Sequence, residues 1–275
     1  DTGQIIILGG LEENGNYFCN KYTYLFIKAL MNLHLPDPKI LLRCSGSMPL
    51  DLMELAIESN ATGIGSPLFA NDDTIIEKLI DFGYQPKDAY NYGVSACWEP
   101  LSIGNSLEQN NLSHIQFGKC MNETILDKRF CKANNIDDII SLYFEKLKDH
   151  CKEILQGIDA FRWEKDPLLS SMMGLKKDIS QGGAKYNDYG ILSVGMSAAV
   201  DSILNIKKYV FEKKQFTLSE IQSIIACDYP NGTSPFAEND GGYGTDSAKS
   251  IALTNLILRK TENYIKGFKN YLGGS

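Results

Sequence analysis

The sequence predicts an α/β fold in which a parallel sheet covered by helices is followed by a mostly helical second half. Two short apolar runs, QIIIL (4–8) and KILLR (39–43), are typical of buried strands. Helical patterns follow each of them, and strand–helix alternation at this spacing favours a parallel sheet. After residue 134 the patterns have helical periodicity.

Each early helix is predicted to begin at a residue that can cap it or occupy its first turn. In chain order these are KYTYLFIKALMNLHL after Asn20, PLDLMELAIESN from Pro49, and DTIIEKLIDF with Asp72 or Asp73 as its cap and Gly83 just past its end. The intervening GIGSPLFAND is predicted to be a loop.

Four helices are predicted in the second half. They are the long amphipathic NIDDIISLYFEKLKDHCKEILQGI, the more apolar ILSVGMSAAVDSILNIKKYVFEKK with Gly195 at a close approach, LSEIQSIIACD after a Thr217/Glu220 capping box, and a last helix from about Asp246 to Tyr271. The chain opens almost on a strand and stops at YLGGS, so we expect a piece of a larger fold.

Composition narrows the function classes. The 275 residues are 43% hydrophobic and 22% charged, with a net charge of −7. This charge offers no basic surface for nucleic acid or an anionic membrane, and no apolar run approaches the ~20 residues that cross a bilayer. The seven cysteines lack CxxC spacing, which favours reduced thiols over a disulfide framework or a zinc site.

The segment YGVSACWEPLSIGNS (92–106) holds a thiol, Cys97, two residues from a carboxylate, Glu99. In an extended backbone the two would project from one face, with Trp98 turned away to pack, and Pro100 excludes helix at Glu99. By spacing alone, Cys97 is more typical of a buried core thiol. A Cys–His nucleophile is disfavoured, because His34, His114 and His150 are typical of surface or helix-end positions.

Several further segments resemble one family in the same order along the chain. They are LGGLEENGNYFCNKYTYLFIKALMNLHLPDPKILLR, GIGSPLFANDD, DPLLSSMMGLKKDISQGGAKYNDYG with AAVDSILNIKKYVFEKK behind the cysteine, and the weaker NDGGYGTD. Together with the Cys97 segment they resemble the glycyl radical enzymes, the pyruvate formate-lyase-like superfamily. The Cys-x-Glu feature resembles the branch of glycerol and diol dehydratases and choline trimethylamine-lyase. Ala96 stands where pyruvate formate-lyase has its acyl-accepting cysteine, so formate and acetyl exchange is not expected.

The resemblance implies a ten-stranded α/β barrel of two half-barrels, with the cysteine loop threaded through its centre. It implies a thiyl radical on Cys97 that abstracts a substrate hydrogen atom, and proton transfer by Glu99. Arg43 would either bind a substrate anion or pair with a carboxylate. Asn110 and Asn111 lie where some relatives contact substrate, although a solvated turn is the simpler interpretation.

The family stores its radical on a glycine in a C-terminal R-V-x-G-Y/F loop, and no such segment occurs in this sequence. The resemblance therefore implies the central portion of the barrel domain, with residues 1–130 as the α/β part and 131–275 as the mostly helical part. The N-terminal part and the glycyl radical domain would be absent. No cofactor is expected to be bound, and a radical-SAM activating enzyme would install the radical.

Three functions stay open. The main hypothesis is elimination of the dehydratase or C–N lyase type from a small hydroxylated substrate. A radical C–C lyase or decarboxylase is the alternative within enzymes, and a catalytically inactive remnant or binding module is the alternative outside them. The reduced thiols predict a cytoplasmic protein, and the resemblance leaves open whether it is free or inside a bacterial microcompartment and whether it is a homodimer.

Overall fold

The computed structural model of the chain describes residues 5–35, 37–95, 98–107, 112–228 and 241–274. Its strands and α-helices, in chain order, are β1 (Ile5–Leu8), α1 (Lys21–Leu33), β2 (Lys39–Cys44), α2 (Leu50–Ala61), β3 (Leu68–Asn71), α3 (Asp72–Asp81), α4 (Pro86–Tyr90), β4 (Tyr92–Val94), β5 (Pro100–Ser102), β6 (His114–Gln116), α5 (Phe117–Leu126), α6 (Ile136–Ala160), α7 (Pro167–Met172), β7 (Leu192–Val194), α8 (Met196–Ile206), α9 (Leu218–Ala226) and α10 (Ala248–Ile265).

The described residues fall into two compact units. The α/β unit lies within 1–108, 164–188 and 272–275, and the helical unit within 109–163 and 189–271. This division differs from the predicted boundary after residue 130. The chain passes from one unit to the other more than once. Residues of β6 and α5 already belong to the helical core, whereas the later residue Tyr186 forms a β-bridge with Ser106 of the α/β unit.

The α/β unit is organised around a parallel sheet in the order β1-β2-β3, which confirms the predicted parallel pairing. Leu41 of β2 pairs with Ile7 on one side and Leu68 on the other. The loop predicted for 63–72 was wrong in part, because β3 occupies its end. This strand has only four residues, too few for its periodicity to be distinguished from a loop.

Alternate residues of β2 supply two apolar clusters. Ile40 and Leu42 pack with buried residues of α1 and α2, whereas Leu41 packs with residues of α3 and with Tyr92. This alternation follows from the two-residue period of a strand, and it requires helices on both faces. The sheet therefore places the start of β4 against its α3 side.

The helix starts of the α/β unit agree with the sequence in part. Asn20 caps α1, as predicted, and also forms a capping box with Thr23. Pro49 occupies the capping position of α2 instead of its first turn. Asn71, instead of Asp72 or Asp73, caps α3 by accepting a hydrogen bond from the Asp73 backbone N–H at 3.1 Å. The Asp72 carboxylate is used elsewhere.

The helical unit is built on α6. Its predicted apolar stripe is confirmed, and the buried residues of this helix are Ile139, Leu142, Tyr143, Leu147, Cys151, Ile154 and Ile158. They pack with apolar residues of α5, α8, α9 and α10 in one cluster. His150 lies on the same helix, and its Nε2 accepts a hydrogen bond from the Gln116 backbone N–H at 3.1 Å.

The predicted helix at 191–214 was wrong at its start and irregular at its end. Leu192–Val194 form β7, which pairs in parallel with β6, and α8 begins after Gly195. Gly195 has φ 74°, and a Cβ there would lie 2.9 Å from the Gly118 backbone nitrogen. The predicted close approach at this glycine is confirmed. Beyond α8, Lys207–Glu212 continue as a π-helix.

The last two predicted helices are present. The Thr217/Glu220 capping box at the start of α9 is confirmed. The final helix ends at Ile265, six residues before the predicted Tyr271. Gly267, with φ 83°, follows its end and is typical of a chain leaving a helix.

Candidate functional site

The segment that carries Glu99 is an antiparallel hairpin of β4 and β5. Val94 pairs with Pro100, and beyond this pair the Ser95 backbone N–H donates to the Glu99 carbonyl at 3.0 Å. The Trp98 N–H donates to the Ser95 carbonyl at 3.0 Å. The chain thus reverses between Ser95 and Glu99.

The predicted extended path through this segment was wrong at Trp98. This residue has φ 70°, in the left-handed region that turns a chain sharply. The shared face predicted for Cys97 and Glu99 stays a prediction. Cys97 and Ala96 lie outside the described residues, as do Asn110 and Asn111. Trp98 packs against the apolar cluster that contains Tyr92, in agreement with its predicted packing role.

The Glu99 side chain is buried, with 8% of the residue exposed. Its Oε2 accepts a hydrogen bond from the Ser95 hydroxyl at 2.8 Å. The structural alternative for Glu99 is a salt-bridged or a solvated carboxylate, and the solvated one does not fit this burial. A carboxylate is costly to remove from water unless polar partners hold it, so its position is specific.

The hairpin lies close to the parallel sheet. A Cβ added at Gly93 would lie 2.8 Å from the Ile7 Cδ1 and 3.1 Å from Ile103 side-chain atoms. A larger residue at this position would require the Ile7 and Ile103 side chains to shift, so the strand approaches β1 closely. The position of the hairpin therefore depends on the sheet as well as on its own hydrogen bonds.

Arg43 lies at the base of the hairpin in a buried network. Its Nε and Nη2 donate to the Asp72 carboxylate at 3.0 and 2.8 Å. The Tyr92 hydroxyl donates to the same carboxylate at 2.5 Å, and the Leu11 N–H donates at 2.6 Å. Arg43 also donates through Nη1 to the Tyr92 carbonyl at 3.3 Å, and its Cζ lies 4.0 Å from the centre of the Tyr92 ring.

Two roles were predicted for Arg43. The structure shows the pairing with a carboxylate, that of Asp72, and substrate binding stays a prediction. Burial, followed by the hydrogen bond to Asp72, raises the pKa of Tyr92 far above its usual range. Tyr92 is therefore a neutral donor that links the hairpin to the ion pair. Sequence reasoning missed Asp72 and Tyr92 as partners of Arg43. The available signal was a carboxylate at a strand end beside an arginine at the end of the preceding strand.

A second network lies at the same open end of the hairpin, where Ser102 pairs with Tyr92. The buried Asp88 carboxylate accepts hydrogen bonds from Lys185 and from the Tyr186 hydroxyl, the latter at 2.7 Å. The Asn105 side chain donates to Asp88 at 3.4 Å and to the Ser102 hydroxyl at 3.2 Å. The hydrogen bond from Lys185 is the main reason that the pKa of Asp88 is lowered.

The glycines of SQGGAKYNDYG are expected to serve tight turns and close packing, and the structure confirms both. Gly182 has φ 80°, and a Cβ at Gly183 would lie 2.0 Å from the Lys177 carbonyl oxygen. These turns bring Lys185 and Tyr186 to Asp88.

Cysteines and potential metal ligands are the other reactive groups in the described part of the chain. The six cysteines described there are free thiols. Within that part, no three His, Cys, Asp or Glu side chains are grouped as metal ligands. None of its helices combines the length and the apolar character needed to span a membrane.

The sequence matches the pyruvate formate lyase-like family over residues 1–158 and 162–275. The chain belongs to this family. The family resemblance predicted from the ordered motifs is thereby confirmed.

Curated relatives of this family member include dehydratases. The chain is 25% identical, over 92% of its length, to the probable dehydratase YbiW of Escherichia coli (strain K12). It is 23% identical, over 99% of its length, to (2S)-3-sulfopropanediol dehydratase of Klebsiella oxytoca. These alignments cover 35% and 36% of the relatives, so the chain spans about a third of their length.

Solved structures of glycyl radical enzymes share the fold. The glycerol-bound B12-independent glycerol dehydratase of Clostridium butyricum aligns with a TM-score of 0.83 and 25% identity, over 100% of this chain and 38% of that one. A Roseburia inulinivorans structure that concerns 1,2-propanediol dehydration aligns with a TM-score of 0.85 and 22% identity, over the same shares. The α/β class is confirmed. The described strands form one three-stranded and two two-stranded sheets, and the ten-stranded barrel stays a prediction.

Proposed function

We propose that this chain provides the central part of a glycyl radical enzyme that eliminates a leaving group from a small hydroxylated substrate. The observation that carries the proposal is the buried carboxylate of Glu99, held in a hairpin turn two residues after Cys97. Membership of the pyruvate formate lyase-like family supports the radical role of Cys97. In the complete enzyme, the parallel sheet and hairpin would form part of the ten-stranded barrel.

For a 1,2-diol substrate, the proposed reaction conserves atoms and electrons at every step. The Cys97 thiyl radical takes a hydrogen atom from the carbon that bears one hydroxyl, which gives a thiol and a carbon radical. Glu99 takes the proton of that hydroxyl, which hydrogen abstraction has made more acidic. The neighbouring C–O bond breaks, and hydroxide leaves with the bonding electrons and recovers the proton from Glu99 as water. The carbonyl radical then takes a hydrogen atom from the Cys97 thiol, which gives an aldehyde and restores the thiyl radical.

The protein must protect this chemistry from water, because a thiyl radical exposed to bulk solvent is lost to side reactions. The burial of Glu99 is consistent with that requirement. No resident cofactor is needed on this chain. A glycyl radical on another segment, installed by a radical-SAM activating enzyme, would generate the Cys97 radical. A direct contact of Arg43, Asn110 or Asn111 with substrate belongs to the same proposal.

Dehydration is favoured over decarboxylation by the extent of the alignments. The dehydratases of Escherichia coli and Klebsiella oxytoca match 92% and 99% of the chain. The glycyl radical subunit of 4-hydroxyphenylacetate decarboxylase from Clostridioides difficile matches 82%. Decarboxylation of a carboxylate substrate remains the second candidate.

The test uses the full-length polypeptide that carries this chain, activated anaerobically and assayed with glycerol, 1,2-propanediol, (2S)-3-sulfopropanediol and trans-4-hydroxy-L-proline. Cys97→Ala should abolish turnover while the glycyl radical stays visible by electron paramagnetic resonance. The matched control, Cys131→Ala, removes an exposed thiol and should keep full activity.

Glu99→Gln should slow elimination by about a hundredfold or more, since general acid–base catalysis contributes at that scale. Hydrogen exchange at the substrate carbon should persist, because Cys97 is intact. Full activity of Cys97→Ala would remove the thiyl mechanism, and unchanged elimination by Glu99→Gln would remove the proton-transfer role. An inactive remnant would form neither a radical nor any product.

A further inference from the structure

We propose that Ser95 is a positioning residue that holds the carboxylate of Glu99 in the orientation required for proton transfer. The inference rests on the proposed function of Glu99 and adds to it a residue whose role acts through that carboxylate. Its basis is the hydrogen bond from the Ser95 hydroxyl to Glu99 Oε2 at 2.8 Å.

Ser95 and Glu99 bracket the turn. The Ser95 backbone N–H donates to the Glu99 carbonyl, and the Ser95 carbonyl accepts from the Trp98 N–H, both at 3.0 Å. The backbone of Ser95 thus fixes the path of the turn, and its side chain fixes the end of the Glu99 side chain. A single residue holds Glu99 at both its backbone and its carboxylate.

The Ser95 hydroxyl restricts the orientation of the Glu99 carboxylate, whereas the backbone hydrogen bonds restrict only the main chain. A glutamate side chain has several rotatable bonds, and a hydrogen bond to its carboxylate narrows the orientations that the carboxylate samples. Misplacing a reacting group by a fraction of an ångström to an ångström costs rate even when binding is intact. A fixed orientation therefore acts on the chemical step more than on substrate affinity.

A serine hydroxyl also suits a group that changes its protonation state. It can donate to a carboxylate and, after rotating, accept from a carboxylic acid. An ammonium or guanidinium group in the same place could only donate, and would hold the carboxylate in its charged form. The contact between Ser95 and Glu99 can persist while Glu99 takes up a proton and releases it.

The kinetic test compares Ser95→Ala, Ser95→Thr and Ser102→Ala in the activated full-length enzyme, with the substrate that the panel above identifies. Ser102→Ala is the matched control, because it deletes a buried hydroxyl of the same hairpin that accepts a hydrogen bond from the Asn105 side chain. Ser95→Ala should lower kcat about tenfold or more with little change in KM. Ser95→Thr keeps a hydroxyl and should restore most of kcat. A Ser95→Ala effect equal to that of Ser102→Ala, or no recovery with threonine, would overturn the inference.

A second test does not depend on activity. A double-mutant cycle of Ser95→Ala and Glu99→Ala, monitored by unfolding of the chain, should show a coupling of about threefold or more in the unfolding equilibrium constant. Ser102→Ala with Glu99→Ala should show none. Zero coupling for the Ser95 cycle overturns the inference. If Glu99→Gln is fully active but the Ser95 cycle is coupled, the proposed function fails while the contact itself is upheld.

Discussion

The two units bury different kinds of polar group. Among the residues that the structure describes, every buried aspartate, glutamate and arginine lies in the α/β unit, and these are Arg43, Asp72, Asp88 and Glu99. Buried polar residues of the helical unit include Thr124 and Thr261, whose hydroxyls donate to carbonyls one turn earlier in their own helices, at 2.7 and 2.8 Å.

The difference indicates what each unit must specify. Apolar contacts are not directional, so a core like that of α6 stabilises a unit without fixing any one group. Buried ionic groups are costly to desolvate and are stable only with well-placed partners. In the α/β unit, the buried ionic groups Arg43, Asp72 and Asp88 lie in the two networks that hold the hairpin of Glu99, and their desolvation is offset by the partners found there. The core of this unit determines where a few polar atoms lie, whereas the core of the helical unit mainly supplies buried area.

Removing the carboxylate of Asp72 should cause the largest effect. Asp72→Ala leaves Arg43 buried without its partner, and breaking such a pair costs about 3–5 kcal/mol. The measurement uses single-tryptophan variants in denaturant, because Trp98 reports on the α/β unit and Trp163 on the helical unit. The unfolding midpoint should fall strongly at Trp98 and less at Trp163.

The neighbouring Asp73 provides the matched control for this substitution. Asp73 is exposed, and its carboxylate accepts a hydrogen bond from the Gly46 N–H at 2.9 Å. Asp73→Ala should cost less than about 1 kcal/mol, as exposed polar contacts do. Equal losses for the two aspartates, or identical shifts at both tryptophans, would contradict the contrast between the units.

A tyrosine-to-phenylalanine substitution, made once in each unit, gives the next largest effect and should destabilise the α/β unit but not the helical unit. Tyr92→Phe deletes a hydroxyl that donates to a buried carboxylate, and hydrogen bonds to charged groups contribute about 1.5–3 kcal/mol. The hydroxyl of Tyr143 is buried with no hydrogen-bond partner among the described residues. Tyr143→Phe should therefore be neutral or stabilise by up to about 1 kcal/mol, since it removes a desolvated polar group.

Denaturant unfolding of both variants tests this pair directly. Each substitution removes one oxygen from a fully buried ring, so the change in packing is matched. A loss of more than about 1 kcal/mol in Tyr143→Phe would show that its hydroxyl has a partner, such as a buried water, and would weaken the distinction between the two cores.

How far the sequence predicts these features depends on whether they are local. The stripe of α6 and the caps at Asn20 and Thr217 depend on residues within one or two turns, and each was predicted from its pattern. The four-residue strand β3 was not, because its pattern is too short. The π-helical turn after α8 was not either, because nothing in the local pattern distinguishes it from α-helix.

The residues of the candidate site are likewise predictable from the sequence only where they are close together in it. Cys97 and Glu99 were found as a pair because they are two residues apart and because ordered motifs resemble one family. The Asp72–Arg43 pair joins residues 29 apart, and the Asp88–Lys185 pair joins residues 97 apart. No periodic signal connects such positions. The turn at Trp98 was missed for a different reason, since tryptophan rarely adopts a positive φ and only the surrounding hairpin imposes it.

Lowering the pH should cause the smallest of the expected changes in stability. Asp88 is the group that tests the difference between the two units. Lys185 and Tyr186 lower the pKa of Asp88 in the folded state. A carboxyl group with a lowered folded pKa stabilises the fold above its unfolded pKa of about 4, and this contribution is lost as the pH falls through the folded value. The Trp98 transition should therefore weaken below about pH 4, and Asp88→Asn should remove part of that dependence.

The helical unit has its own carboxyl group with a lowered pKa, Asp127, whose main cause is Arg129. The Arg129 side chain is 53% exposed, so solvent screens this pair. We therefore expect Asp127→Asn to change the acid response at Trp163 less than Asp88→Asn changes it at Trp98. Lys185 is itself 42% exposed, which keeps the Asp88 effect below that of Tyr92→Phe. A larger acid response at Trp163 than at Trp98 would mean that the surface pair of the helical unit, and not the buried carboxylate beside the hairpin, dominates the electrostatic stability of the chain.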